Sequence, residues 1–367
     1  MTTNARDDDG GSRRNGPDEG VDPYRKSSIF SAATVATPLT ILFYGIVVLS
    51  VHRADAAAAA AVAANASSDD DSSGDFGDSF SWEHIVQLKD RIMEGPDGLE
   101  VMDLVLLGTI SVLALELLNF LVKRSGYWFH AKFIPVRGKH LDELSSKDNL
   151  FIGLNKLATA PFVYFMVRYM FYEPNSSWAP RNITWMNTLL PLPIIFVAYD
   201  FFYTLLHWAL HIKAIYGYIH KHHHHQKAPS RANVDAVNVH PIEYFLGEYN
   251  HIFACFLYCR VMGMELHIAA IVLFLVIGGT LAGLNHTRFD CVVKLWGATI
   301  YDSKHHDVHH RIPQSNYGQY IMLWDRIFGS FRDYDPNDRI NPKAQLDQAT
   351  GKSIEYMNRK KGATKVE

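Results

Sequence analysis

Histidines are concentrated in one part of this 367-residue chain. Of its 19 histidines, 15 lie between His207 and His310. Most of these fall in three short clusters: HWALH at 207–211, HKHHHH at 220–225 and HHDVHH at 305–310. Neutral imidazole is a good ligand for iron, copper, zinc and nickel. The clusters therefore predict a metal site built from histidine.

The spacing of the histidines predicts that eight of them converge. His207 and His211 are four residues apart, so a helix places both on one face. At ~100° per residue, three histidines of each later cluster share a helical stripe, and His222, His225 and His305 fall outside it or at its edge. Eight imidazoles are too many for one ion, because zinc takes about four ligands. We therefore expect two ions, with the ligands His207, His211, His220, His223, His224, His306, His309 and His310.

Long apolar segments surround these clusters, and 48% of all residues are hydrophobic. About 20 apolar residues suffice to cross a bilayer as a helix. The segments predict an all-α integral membrane protein with about four to six membrane segments. They are 30–51, 101–122, 151–172, 186–211 and 253–284, the last divided by RVMGME (260–265) into a hairpin.

The loops between these segments predict their orientation. Loop 123–150 contains six lysines and arginines, whereas loop 173–186 contains only Arg181. Basic residues favour the cytoplasmic side, so the first loop is expected there. The second loop, with sequons at Asn175 and Asn182, is then luminal. All three histidine clusters are consequently expected in a helical cap on the cytoplasmic face.

Composition divides the chain further. The net charge of −3 gives no basic excess, so we expect no nucleic-acid partner. Three cysteines are too few for a disulfide framework. The predicted regions are a disordered polar tail (1–29), a transmembrane helix or signal anchor (30–51), an acidic low-complexity linker (52–100), a transmembrane region (101–185), a catalytic domain (186–335) and a polar C-terminal tail (336–367).

The three clusters, together with HPIE (240–243) and NYGQYIMLWDRIFGS (316–330), resemble the fatty acid hydroxylase/sterol desaturase superfamily. Its pattern is HX3H, HX2HH and HX2HH followed by an NYG and WDR block, and the resemblance covers roughly 190–335. It implies a non-haem di-iron oxygenase of the endoplasmic reticulum that oxidises a lipid from the bilayer. It also implies two iron ions, O2 as co-substrate, and electrons from NAD(P)H through a separate donor of the cytochrome b5 or reductase type. The implied ligands are the eight histidines above, with His286 and His240 as further candidates.

Protein side chains other than ligands are expected to support the metal rather than to react. Di-iron chemistry needs no general acid or base from the chain, because the metal carries the reaction. A carboxylate that accepts the second ring N–H of a ligand would orient it. Asp307, inside the third cluster, is the first candidate for that role, followed by Glu243, Glu248 and Asp325. Asp200 and Tyr199 precede the first cluster within an apolar segment, where a charged residue suggests a functional site.

Two functions of other classes also fit a membrane protein rich in histidine. One is a His-rich metal transporter, and the other is a metal-binding scaffold without catalysis. A transporter favours ligands within the spans and a low-complexity histidine tract, whereas these spans mostly lack paired histidine and aspartate and the histidines follow helical spacing. Within the enzyme class, a sterol, a sphingoid or a fatty-acyl substrate and either hydroxylation or desaturation are compatible with the motifs.

Overall fold

A computed structural model describes residues 82–347 and 350–363. The predicted tail 1–29, the segment 30–51 and most of the linker lie outside these residues. The longer helices are α1 (Trp82–Glu94), α2 (Val101–Trp128), α3 (Ser146–Tyr172), α5 (Pro191–Leu210), α8 (Pro241–Phe256), α9 (Ile268–Asn285), α10 (Ser303–Arg311) and α12 (Ile354–Ala363). The short helices are α4 (Trp185–Thr188), α6 (Lys213–Tyr216), α7 (Asn233–Ala236) and α11 (Leu323–Phe328).

Local sequence signals begin several of these helices. Asp148 and Ser145 form a reciprocal capping box at the start of α3. Glu100 and Asp103 form the corresponding pair at the start of α2. Pro191 opens α5, where its missing N–H costs no helical hydrogen bond. These polar residues at the helix starts separate the apolar segments into discrete helices.

Four helical segments of the described residues are long and apolar enough to span a membrane: Val101–Trp128, Ser146–Tyr172, Trp185–Leu210 and Ile268–Asn285. They confirm the prediction of a helical integral membrane protein. The predicted hairpin is present as α8 and α9, although α8 begins at Pro241, well before residue 253. A one-turn π-helix, Leu257–Val261, extends α8 towards the turn.

The helices α3, α5, α8 and α9 pack around one apolar core. Met170, Ile195 and Phe274, from α3, α5 and α9, are completely buried there. Cys255 and Cys259 are buried free thiols on the same bundle. Helix α2 lies outside this core and packs against α3 and α9. The bundle thus presents the ends of α5 and α9 at the same side as α10.

Strands are a minor addition to the helical fold. Strands β1 (Ser176–Ser177) and β2 (Leu266–His267) form a short parallel pair. Strands β3 (Val292–Leu295) and β4 (Ala298–Asp302) form an antiparallel hairpin that the helical prediction did not include. Its turn residues Trp296 and Gly297 have φ of 47° and 83°, which suits a tight hairpin between β-branched segments.

Candidate metal centre

Five histidines from three parts of the chain form the first group. The end of α5 contributes two rings, a 3-10 helix at His220–His225 contributes two, and α10 contributes one. One nitrogen from each ring lies within 4.8 Å of those of the others. We call this set the five-histidine group: His207, His211, His220, His224 and His309.

Four further histidines form the second group, again with ring nitrogens within 4.8 Å of one another. We call it the four-histidine group: His223, His286, His306 and His310. The groups are neighbours, since the rings of His224 and His310 have centroids 5.3 Å apart. Together the groups contain all eight predicted ligands and the further candidate His286.

The allocation of ligands differs from the predicted single stripe. His220 and His224 belong to one group while His223, between them, belongs to the other. The third cluster is divided in the same way, with His309 in one group and His306 in the other. The α-helical register assumed for the second cluster is wrong, because residues 220–225 form a 3-10 helix. Side chains three residues apart eclipse in a 3-10 helix, so helical register does not account for the separation of His220 from His223 into different groups.

Hydrogen bonds to the Nδ1 atoms determine which ring nitrogen is available in the five-histidine group. The Nδ1–H of His207 donates to the Tyr317 carbonyl oxygen at 2.8 Å. The Nδ1–H of His220 donates to the Glu243 carboxylate at 2.7 Å. Both Nε2 atoms therefore present lone pairs in the neutral rings, yet they lie only 3.0 Å apart. Two facing lone pairs repel each other, so the arrangement fits a cation between them.

The four-histidine group gives the same result. The Nδ1–H of His286 donates to the Ala282 carbonyl at 2.8 Å, leaving an Nε2 lone pair. That Nε2 lies 3.3 Å from Nε2 of His223 and 3.2 Å from Nε2 of His306. In the five-histidine group, the Nδ1–H of His309 donates to the Ser315 carbonyl, and its buried Nε2 has no hydrogen-bond partner among the described residues. In both groups, Nε2 atoms with free lone pairs face a common point, which is the arrangement that binds a metal ion.

The electrostatic environment keeps these rings neutral. Burial is the main cause that lowers the pKa of His211 to about 2, and neighbouring imidazoles lower it further. The same causes hold the pKa of His220, His223, His224, His306, His309 and His310 well below the ordinary 6.5. Neutral imidazole is the form that binds metal. The site is thus ready to bind metal at neutral pH without first losing protons.

The four candidate carboxylates have different roles. Glu243, on α8, orients His220 directly. Asp307 contacts no metal-facing histidine and instead accepts hydrogen bonds from Arg288 at 2.6 Å and Arg311 at 3.2 Å. Its expected contact with a ligand is therefore absent, because α10 turns this side chain away from the metal groups. Glu248 lies in a cavity that borders the site.

Asp325 supports the metal groups indirectly, through the backbone of Tyr317 and Gly318. Its carboxylate accepts the backbone N–H groups of Tyr317 and Gly318, both at 2.8 Å. Asp200, fully buried on α5, accepts those of Gln319, Tyr320 and Ile321. These two carboxylates hold the loop whose Tyr317 carbonyl orients His207. Asp200, which the sequence suggested as part of a functional site, therefore holds this loop in place.

Residues of the NYG motif also position the third cluster. Asn316, in the left-handed region at φ 56°, donates through its side-chain amide to the His305 and Arg332 carbonyls. A Cβ at Gly318 would meet the Ile321 carbonyl oxygen at 2.6 Å and an Asp325 oxygen at 3.0 Å. The motif therefore serves close backbone packing against α10.

The remaining candidate histidines lie outside both groups. His240 caps α8, where its Nδ1 accepts from the Ile242 N–H at 3.2 Å. His222 contacts Asn238 at 2.9 Å, and His225 is exposed. His305 is buried beside Phe331. The backbone carbonyls that orient His207, His286 and His309 were missed from sequence, since every residue has a carbonyl and only the fold selects which one lies near a ring.

A cavity of about 450 Å³ leads from the spans to the histidines. Leucines of α2, residues of α3 and small residues of α9 line its apolar part. Members of both metal groups line its other part, among them His207, His223, His286 and His306. An apolar molecule in the cavity would therefore reach the metal groups from the membrane.

Comparison with known proteins agrees with this geometry. The fatty acid hydroxylase family model matches residues 192–330, which contain both histidine groups. Lathosterol oxidase of Rattus norvegicus is 29% identical over 149 residues, 40% of this chain and 47% of that protein. Delta(7)-sterol-C5(6)-desaturase of Nicotiana tabacum is 28% identical over 165 residues, 41% and 53% of the two chains. Methylsterol monooxygenase 1 of Rattus norvegicus is 27% identical over 233 residues, 60% and 75%.

The family match covers the part of the chain that holds the metal groups. The chain spans about half the length of the first two relatives. No solved structure matches the chain significantly. The matched region, the membrane helices and the paired histidine groups all agree with the resemblance seen in the sequence. Residues 192–330, which hold both metal groups, therefore match the fatty acid hydroxylase family.

Proposed function

We propose that this protein is a membrane-bound non-haem di-iron enzyme that uses O2 to hydroxylate or desaturate a lipid. The observation that carries the proposal is the pair of adjacent groups of five and four histidines, whose ring nitrogens lie within 4.8 Å in each group. Their ligands are neutral imidazoles without thiolates, a donor set suited to iron. Similarity to a family of lipid oxidoreductases supports iron over zinc or copper.

The nine grouped histidines are the proposed ligands, and His240 is left outside this set. Iron bound by the nine histidines would supply O2 activation for attack on a lipid C–H bond, which an acid or a base alone could not activate. The chain's own residues bind and orient. The Glu243 carboxylate and the Tyr317 carbonyl prevent rotation of the His220 and His207 rings, which keeps their Nε2 atoms directed at the metal.

The substrate is proposed to enter from the bilayer between α2 and α9. Leu117 and Leu121 of α2 and Val276 of α9 line the cavity, and each is also more than 40% exposed on the outer surface of the bundle. An opening bordered by these residues suits an apolar molecule. Sterols are the first substrates to test, because all three relatives described above are named for sterol reactions.

Location and electron supply follow from the same assignment. We place the protein in the endoplasmic reticulum with its histidines on the cytoplasmic face, as the basic loop 123–150 favours. Electrons would come from NAD(P)H through a separate donor such as cytochrome b5. Residues 186–335 are the proposed catalytic domain, with 101–185 completing the cavity.

Metal analysis of the purified protein tests this function. Full-length protein expressed with iron and purified in detergent is expected to hold about two irons per chain, as two groups of about four imidazoles require. His309→Ala should lose iron, whereas His225→Ala, at an exposed position outside both groups, should retain it. Incubation of wild type with O2, a reductase system and sterols should then give an oxidised product.

Two results would contradict the proposal. Zinc at one ion or fewer per chain, indifferent to His309→Ala, would favour a transporter or a scaffold. Iron bound as expected but no O2-dependent change in any sterol, sphingoid or fatty-acyl lipid would contradict the catalytic part alone.

A further inference from the structure

A carboxyl group without a hydrogen-bond partner among the described residues lies in the cavity next to the metal groups. Glu248, on α8, lines the cavity, and 28% of its side chain is exposed. Its carboxyl group makes no hydrogen bond to any described residue, and its Oε2 lies 3.9 Å from Nδ1 of His251. A carboxyl group in largely apolar surroundings is unfavourable unless something pairs with it. The missing partner is expected to be a molecule in the cavity.

Other polar groups converge on the same part of the cavity. The Nδ1–H of His251 donates to the Glu248 backbone carbonyl at 2.9 Å, so its Nε2 is an acceptor. That Nε2 lies 3.5 Å from the Tyr320 hydroxyl, and the ring of Tyr199 lies 4.4 Å from the His251 ring. All four residues line the cavity. They form what we call the polar end: Tyr199, Glu248, His251 and Tyr320.

The charges around the cavity select the chemistry of the bound group. No lysine or arginine is present among the described residues that line the cavity. A fatty acid carboxylate or a phosphate would meet Glu248 without a compensating cation. A cationic amine would have to lose its hydration to form a buried ion pair, whose attraction often fails to repay that cost. A hydroxyl group can donate to the Glu248 carboxyl group or to the Tyr320 hydroxyl oxygen, whose own hydrogen is directed at His251 Nε2, and it meets neither penalty.

The polar end lies at a defined distance from the metal groups along α8. Glu243, which orients His220, precedes Glu248 by five residues, or about 7.5 Å of helix rise. His251 lies a further turn along the helix. A lipid anchored at the polar end would therefore present to the metal a carbon several bonds from its own hydroxyl group.

We propose that Glu248, His251 and Tyr320 bind the hydroxyl group of a neutral lipid alcohol and thereby position its reactive carbon at the histidine groups. The positioning part rests on the proposed oxidase function, whereas the binding part does not. Glu248 is then a binding residue that selects the substrate class, in addition to the ligands that carry the reaction.

Four probes with the same C18 chain test the selection: octadecanol, octadecyl methyl ether, octadecylamine and stearate. Each competes with radiolabelled octadecanol for iron-loaded full-length protein in nanodiscs, and iron per chain is measured on the same samples. Wild type should bind octadecanol most tightly. Glu248→Leu should weaken octadecanol binding by up to about tenfold, the upper value for a hydrogen bond to a neutral group, and should remove its advantage over the ether. Tyr320→Phe should reduce the same advantage without changing ether binding.

Glu116→Leu is the matched control, because Glu116 pairs with Lys156 and does not line the cavity. It should preserve octadecanol binding. Equal binding of octadecanol and its ether by wild type, or preference for stearate or octadecylamine, would overturn the proposal, whatever the variants do. Alcohol preference in a protein that binds no iron would support the polar end and contradict the proposed function. Normal iron content without alcohol preference would contradict the polar end and support the proposed function.

Discussion

Replacing Glu243 by leucine is expected to separate metal affinity from the stability of the fold. Its Oε1 accepts the His220 Nδ1–H at 2.7 Å, and the two side chains are 10% and 1% exposed. Its second oxygen, Oε2, is buried and has no hydrogen-bond partner among the described residues. The carboxylate therefore stabilises the fold through one hydrogen bond while one oxygen remains without compensation.

The two effects of the substitution can be estimated separately. Partners of a ligand's second ring nitrogen contribute about 10- to 100-fold to metal affinity, or about 1.4–2.8 kcal/mol. Loss of the bond leaves the His220 N–H unsatisfied, at about 1–3 kcal/mol. Removing a buried carboxylate with an unpaired oxygen offsets much of that cost. Iron-free Glu243→Leu should thus unfold close to wild type, while its iron Kd rises about 10- to 100-fold.

Chelator competition measures the iron Kd, and thermal unfolding of the iron-free protein measures stability. Asp307→Asn is the matched control, since Asp307 pairs with buried Arg288 and contacts none of the grouped histidines. Breaking that pair should cost up to about 3–5 kcal/mol of stability and leave the iron Kd of the folded protein unchanged. Wild-type iron affinity in Glu243→Leu, or weakened affinity in folded Asp307→Asn, would refute the assigned roles.

Three further predictions concern the metal groups and their support. His309→Ala, in the five-histidine group, should lower iron from about two to about one ion per chain or fewer, and His225→Ala should not; equal loss in both would contradict the grouping. Because burial holds the pKa of His220 below its unfolded value of 6.5, the iron-free protein should be most stable above about pH 6.5 and lose stability on acidification. Thermal unfolding between about pH 8 and about pH 5 checks this, and a midpoint independent of pH would show that the rings are not held neutral. Gly318→Ala should displace the Tyr317 carbonyl from His207, since its Cβ would lie 2.6 Å from a backbone oxygen, and turnover should fall more than expression; unaltered turnover would exclude that coupling.

The membrane helices could be predicted closely from the sequence because hydrophobic length is a local property. The spans expected at 101–122, 151–172 and 186–211 correspond to helical segments Val101–Trp128, Ser146–Tyr172 and Trp185–Leu210. The start of α8 was missed by about three turns, because residues 241–252 mix polar with apolar side chains and do not form a continuous apolar segment. The hairpin of β3 and β4 was missed because its strands, of four and five residues, are too short to give a strong periodic signal.

The metal site shows a sharper division between local and tertiary information. The types and spacing of the histidines determined by themselves that many imidazoles converge near the ends of membrane helices, since helical spacing places such side chains on one face. Only the tertiary structure decided which ring joins which group, separating His223 from its neighbours and placing the further candidate His286 in the four-histidine group. It also decided that Glu243 and not Asp307 orients a ligand. These choices depend on distances between segments far apart in the chain, and local spacing carries no information about such distances.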